Sequence, residues 1–348
     1  MSENLSFAVF ETSAGAKIHR IPLEVFPHFW AYVYVVQKDE YCVLIDTGSG
    51  TDSSHENLVA GLKQSGFVPT DLTHILLTHA HIDHYGGLSR LHPLTDARIG
   101  VHELDVQTVA HHEARLALIE KRLASFLAET GLAEETREQV LSIYRFSKAI
   151  YRSTPVDFTY EAIDKQLGPF EFVHLPGHCP GHVAIRVDDV VFCGDMVVEG
   201  VTPHLAPESI NPYGGVDHYL ESLSRLQHWA KDARLILNGH NDAITDLRAH
   251  IETTKQNMIR RMGKAVDALS EPLTIEETCV AIYGEMHGYN QMLVIEKTGA
   301  YVEYLYEHGM IEIVNAAELE QGQPAKYRLL HEVSESEILP KERAYVFI

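Results

Sequence analysis

Thr78-His79-Ala80-His81-Ile82-Asp83-His84-Tyr85-Gly86-Gly87 is the stretch around which the chain can be read. The apolar run His74-Ile75-Leu76-Leu77-Thr78 leads directly into it. Such a run ending in a polar cluster reads as a buried strand that delivers side chains into a loop at its end. Alternate side chains of an extended chain share a face, so His79 and His81 point the same way. The turn that must follow then aims Asp83 and His84 at a second point nearby. Packing needs no such chemistry there. The chain holds 22 histidines, and a pair such as His111-His112 carries little weight. Three imidazoles and a carboxylate at one strand end are different, and they suit a site that holds two metal ions side by side.

Three later positions repeat the context. His178 follows the strand Phe170 to Leu175, Asp195 follows Val190-Val191-Phe192-Cys193, and His240 follows Arg234 to Leu237. Each stands beside a glycine, which permits a sharp turn or a close approach. Earlier, Tyr41 to Ile45 reads as a buried strand that ends in Asp46-Thr47-Gly48. Asp46 there serves either as a helix cap or as the orienting partner of a ligand imidazole.

The segments between complete an α/β pattern. Ala8 to Phe10, Lys17 to Leu23 and Phe29 to Val36 read as antiparallel strands. Residues 53–66 read as a helix, and Leu88 to Leu91 as a short one before the strand Ala97 to Val101. Residues 104–152 break the rhythm, with apolar residues at helical spacing (Leu116, Ile119, Leu123; Val140, Ile143, Tyr144) on either side of Gly131. They read as a two-helix insertion. Asp188-Asp189 marks a hairpin turn, and Val216 to Ala230 a further helix.

At 348 residues, one large domain and a smaller one are expected, divided at 243/244. A hydrophobic content of 45% with 22% charged residues is that of an ordinary globular protein. No signal-like N-terminus and no membrane-length apolar run are visible. Cys42, Cys179, Cys193 and Cys279 are scattered, which fits reduced thiols and a cytoplasmic location. A net charge of −21 argues against a general nucleic-acid binder, because phosphates are held mainly by Lys and Arg.

Ile-Asp46-Thr-Gly, His79-Ala-His81-Ile-Asp83-His84, Leu-Pro-Gly-His178-Cys-Pro-Gly-His182, Cys-Gly-Asp195 and Gly-His240, in order along residues 46–240, together resemble the metallo-β-lactamase-fold hydrolase superfamily. The resemblance implies an αββα sandwich with two divalent metal ions at one edge. It implies that His79, His81 and His178 hold the first, that Asp83, His84 and His240 hold the second, and that Asp195 bridges them. Imidazole and carboxylate suit zinc. Asp46 and His182 would support these residues from behind, and Cys179 would be a small packing residue. Two cations that close acidify a shared water and polarise the bond it attacks, with Asp83 to orient the resulting hydroxide and pass its proton on.

After His240 come a helix from about Ile244 to Leu269, a capped helix opening at Thr274 and running to Met286, and another from an Asn290 cap to Gly309. A hairpin, Met310 to Val314 with Lys326 to Leu330, follows. Three helices and a hairpin look like a winged helix, and the arrangement is similar to the C-terminal extension of some β-lactamase-like hydrolases. Residues 272–348 carry thirteen glutamates against Lys297, Lys326, Arg328, Lys341 and Arg343, so a pocket wall or a dimer surface is expected rather than a DNA-binding face.

Within the superfamily, histidine at position 81 speaks against the flavo-diiron oxygen reductases, and Asp195 against β-lactamases with a cysteine ligand. The expected activity is hydrolysis of an acyl bond in a small molecule, with a thioester of the hydroxyacylglutathione kind first. Met196-Val197-Val198-Glu199-Gly200 departs from that enzyme's pattern and lacks the tyrosine of lactonases. An endoribonuclease and a weakly active metal-binding regulatory module are the other readings.

Overall fold

The computed structural model describes residues 6–200 and 202–339. Residues 340–348, the end of the expected C-terminal unit, lie outside the described residues. Two sheets face each other. The first takes its strands in chain order: β1 (Ala8–Glu11), β2 (Lys17–Phe26), β3 (Phe29–Lys38), β4 (Tyr41–Ile45), then, past helix α1 (Asp52–Gln64), β5 (His74–Leu76). Helix α2 (Leu88–Leu91) leads to β6 (Arg98–Val101). The insertion, α3 (Val106–Ala110), α4 (His112–Glu129) and α5 (Glu134–Lys148), precedes β7 (Phe158–Thr159) at the sheet's edge. Strands β1 to β4 pair antiparallel, and β4 to β7 pair parallel through crossovers.

The second sheet holds β8 (Gln166–Leu167), β9 (Phe170–His174), β10 (Val183–Val187) and β11 (Val190–Phe192), with β12 (Leu235–Leu237) joining parallel after helix α6 (Val216–Trp229). Strand alternation sorts the side chains. Val43 and Ile45 of β4 face the second sheet beside Phe172, Ile185 and Phe192, whereas Leu44 turns outward to Leu58 and Leu62 of α1. Each such buried aliphatic side chain stabilises the fold by roughly 1.5–3 kcal/mol.

Then come α7 (Leu247–Ala268), α8 (Ile275–Tyr283), α9 (Gly288–Glu307) and an antiparallel pair, β13 (Ile311–Ile313) and β14 (Tyr327–Leu329), with the single-turn helices α10 (Ala316–Leu319) and α11 (Glu335–Ile338). Several ends differ from the sequence reading. Ile244 pairs with Ile236 instead of opening α7, which Asp246 caps by accepting from the Ala249 N–H. Thr274 and Glu277 form the expected capping box, but Gly284, at φ 76°, stops α8 before Met286. Asn290 lies inside the first turn of α9, whose cap is His287.

The insertion is built into the core. Leu123, Phe126 and Tyr144 share one apolar cluster with Met258 and Met262 of α7, Ile295 and Tyr301 of α9, and Val191 and Ile236 of the second sheet. At the closest approach a Cβ on Gly299 of α9 would lie 2.5 Å from the Phe126 ring and 2.9 Å from Pro207. No helix among the described residues is long and apolar enough to cross a membrane.

Two outcomes follow for stability. Gly299→Val should destabilise the protein by about 1–3 kcal/mol in denaturant unfolding, because overpacking outweighs the roughly 0.3–0.5 kcal/mol of helix preference gained. Burial pushes the Glu303 carboxyl up to about 7, although it accepts the Glu208 N–H at 2.9 Å. Its folded value lies above the ordinary 4.5, so the stability it contributes is full below that pH and is lost as pH rises through about 7. Glu303→Gln should therefore stabilise at pH 8 by about 1 kcal/mol, allowing for solvent screening, with the gain vanishing near pH 4.

Candidate metal centre

The site forms where strand ends of both sheets meet. Strand β4 stops at Ile45 and Asp46 turns into the left-handed region at φ 61°, which Asp tolerates better than most residues. That turn sets its carboxylate beneath the histidine loop. Oδ1 accepts the Thr78 N–H at 2.8 Å, and Oδ2 accepts the Thr78 hydroxyl at 2.7 Å and His84 Nδ1–H at 3.0 Å. Of the two roles open to Asp46 in the sequence, the orienting contact is the one present; α1 is capped by Thr51, which accepts from Ser54 N–H.

The loop 77–87 brings the four clustered residues together with the three later ones. His79, His81 and His178 offer ligand atoms within 4.8 Å of one another. The same holds for Asp83, His84 and His240, and for His79, His84 and Asp195. His79 and His81 do converge, with ring centroids 4.7 Å apart. Asp195 touches both groups: Oδ1 lies 3.4 Å from His84 Nε2, and Oδ2 lies 3.1 Å from His240 Nε2 and 3.6 Å from His178 Nε2. Gly239 is what lets the strand end come so close, since a Cβ there would stand 2.4 Å from Asp195 Oδ1.

The tautomers point the same way. His178 Nδ1 donates to the His204 carbonyl at 2.8 Å, His240 Nδ1 to the Trp30 carbonyl at 2.8 Å, and His84 Nδ1 to Asp46. The Thr78 hydroxyl, already donating to Asp46, accepts from His79 Nδ1 at 3.0 Å. In each ring Nε2 faces the centre; those of His84 and His240 meet the Asp195 carboxylate, which raises both imidazoles against the pull of burial. His79 Nε2, His178 Nε2 and Asp195 Oδ1 are buried there without a hydrogen-bond partner. Orphaned lone pairs of that kind cost free energy unless a cation meets them, so the residues fit a metal site.

Burial, reinforced by neighbouring histidines, holds His79 and His81 well below the usual imidazole range, and burial takes His178 down to about 4. These rings are neutral at pH 7, as ligands must be. Burial also opposes ionisation of Asp195, yet His240 and His84 hold its carboxyl well below the usual range. His182 stands behind: its Nε2 accepts the Asp195 N–H at 3.2 Å and fixes that backbone.

Three contributors had no signal in the sequence. Asp105, at the start of the insertion, accepts the Ala80 N–H at 2.9 Å and lies 3.7 Å from Cys179 Sγ, tying the 79–84 loop to the 178–182 loop. Burial raises its carboxyl to about 6. Glu296 of α9 pairs with His204 at 2.9 Å, the residue whose carbonyl orients His178. Lys148 ends α5 with its ammonium lowered by burial and drawn back up by Glu296 and Asp83. Their partners are distant in the chain, and no spacing marks them.

A family model described as Metallo-beta-lactamase superfamily matches residues 31–240. A "Probable metallo-hydrolase YqjP" of Bacillus subtilis is 23% identical over 78% of this chain and 86% of its own. A hydroxyacylglutathione hydrolase of Shewanella loihica is 27% identical over 35% of this chain and 33% of its own. Among solved structures, a metallo-beta-lactamase family protein from Thermus thermophilus superposes with a TM-score of 0.71 at 24% identity, over 90% of this chain and 98% of that one. A beta-lactamase domain protein from Burkholderia ambifaria gives 0.72 at 18% identity, over 92% and 94%. The shared fold thus reaches beyond residues 31–240.

Asp46→Asn leaves the size of the side chain unchanged but removes the charge that Thr78 and His84 lean on. Metal affinity, read by competition with a chromogenic chelator, should fall roughly 10–100-fold. An unchanged affinity would return Asp46 to a purely local role at its turn.

Proposed function

The chain belongs to the metallo-beta-lactamase superfamily, and from that premise we propose that it is a dinuclear metallohydrolase cleaving an acyl bond in a small molecule, a thioester first. The observation that carries the reading is Asp195, one buried carboxylate within reach of imidazoles from both groups. His79, His81 and His178 would hold one divalent ion, Asp83, His84 and His240 the other, and Asp195 both. The imidazole and carboxylate donors suit zinc first, with iron and manganese as the alternatives. Bound there, two such ions supply an acidified water and a Lewis acid.

The chain's own residues do the rest. Asp83 lies nearer the solvent than Asp195, with Oδ2 3.6 Å from His240 Nε2 and 3.8 Å from His84 Nε2. It is placed to accept the proton of the attacking water and return it to the leaving group. Lys148 and Tyr151 of the insertion and Tyr289 of α9 all sense the Asp83 charge, which supports a substrate mouth bordered by the insertion and α9. The thioester is favoured by the hydroxyacylglutathione hydrolases among the relatives. Four buried free thiols fit a reducing, cytoplasmic setting. The helices and hairpin after residue 246 keep an endoribonuclease as the second reading, opposed by the thirteen glutamates of residues 272–348.

Purified protein should carry two divalent ions and hydrolyse members of a thioester and lactone panel. Chelation should abolish turnover and added zinc restore it. Asp83→Asn should lower kcat by roughly 10²–10⁴-fold, and Asp195→Ala should lose metal as well as activity. Turnover that survives chelation, or an Asp195→Ala protein with full metal content, would contradict the proposal. Salt-sensitive RNA cleavage without ester turnover would install the nuclease reading instead.

A further inference from the structure

Helix α9 turns Glu296 toward His204 and the metal centre; its next residue, Lys297, faces elsewhere. Lys297 Nζ donates to the Thr202 carbonyl at 2.8 Å and stands 3.5 Å from the Thr202 hydroxyl. Arg261, from α7, donates to that same hydroxyl. The Arg261 guanidinium lies 6.0 Å from the centre of the Tyr283 ring of α8. Tyr301, one turn along α9 from Lys297, places its hydroxyl beside Thr202, Tyr283 and Arg261. The Tyr283 and Tyr301 hydroxyls are buried and make no hydrogen bond of good geometry among the described residues. Two cations from two helices therefore converge on one threonine.

Among the described residues neither cation has a carboxylate within 4.0 Å; the adjacent Glu296 is committed to His204. That is unexpected in a chain with 49 acidic and 28 basic residues. Like charges that close repel, and burial sharpens the cost. Burial and the neighbouring Arg261 accordingly pull the Lys297 ammonium down to about 7. Both residues are half-buried.

We propose that Arg261, Lys297, Tyr283 and Tyr301 form an anion site, separate from the metal centre, that takes a phosphate group, free or esterified. A guanidinium presents two parallel N–H donors to phosphate oxygens, and an ammonium adds a point charge. Two phenols and the Thr202 hydroxyl supply further donors. A tetrahedral phosphate can use all of these, whereas a carboxylate has only two oxygens to offer. The site also bears on the metal centre, since Thr202 lies two residues from His204, whose carbonyl orients His178.

The test is calorimetric titration of the full chain with inorganic phosphate and, separately, glycerol phosphate, against acetate at matched ionic strength. Metal-loaded and chelated protein are both used, so that phosphate on the metals is told apart from phosphate here. Saturable binding of one equivalent that survives chelation is expected, weakened at least tenfold by Lys297→Gln or Arg261→Gln. Tyr301→Phe, which changes no volume to speak of, should weaken it several-fold with an unchanged unfolding midpoint, and it decides the matter if the charge variants fail to fold. Equal affinity for the two ligands assigns the site to free phosphate, and tighter binding of the ester to a phosphorylated small molecule. No binding to chelated protein, or binding untouched by all three substitutions, overturns the proposal. Neither result alters the metal content or hydrolysis on which the proposed reaction is judged.

Discussion

A carboxylate buried among histidines is the constraint on which the rest of the site depends. Asp195 is 8% exposed, and placing an ionised group there is costly unless positive charge or good hydrogen bonds meet it. Here His84 and His240 meet it, whereas the neutral His178 turns only an unpartnered Nε2 toward it at 3.6 Å, a gap that suits a cation. Those contacts require Å-scale placement of three separate segments. His182 Nε2 fixes the Asp195 backbone, and the Gly239 N–H donates to the Gly194 carbonyl at 3.0 Å, joining two of the strand ends.

The sandwich supplies that placement. Strands β4 and β5 end at one edge of the first sheet, β11 and β12 at the same edge of the second, and short bonds lock the two edges together. The Tyr32 N–H donates to the Gly239 carbonyl at 2.7 Å, and the Tyr34 hydroxyl to the Asn238 carbonyl at 2.6 Å. His240 adds its own bond to the Trp30 carbonyl. Asp46 does the equivalent within the first sheet by gripping Thr78 and His84 at once. Ligand geometry is thus inherited from sheet geometry, and a change in the backbone at Asp46 or Gly239 reaches the centre without touching a candidate ligand.

Much of this was legible in the chain itself. His79 to His84 are local in sequence, and strand-end glycines flag Asp195 and His240, so their convergence follows from a period-2 reading and a fold resemblance. The two sheets were readable for the same reason. Asp105, Glu296 and Lys148 were not, because a carboxylate or ammonium on a helix looks like any solvated charge until the partner loop is in place. Helix ends failed where tertiary contacts overrode local signals: Ile244 is taken by Ile236, and His287 and Gly288 start α9 ahead of Asn290. The insertion's role was likewise hidden, since only the packed structure brings Phe126 against Gly299.

The central claim is that Asp195 is shared between two metal ions. Anomalous X-ray diffraction at the metal edge from crystals of the metal-loaded protein tests it most directly. Two peaks are predicted, one enclosed by His79, His81 and His178, the other by Asp83, His84 and His240, with an Asp195 oxygen bound to each. A single peak at full occupancy, or two peaks of which Asp195 touches only one, would contradict the account.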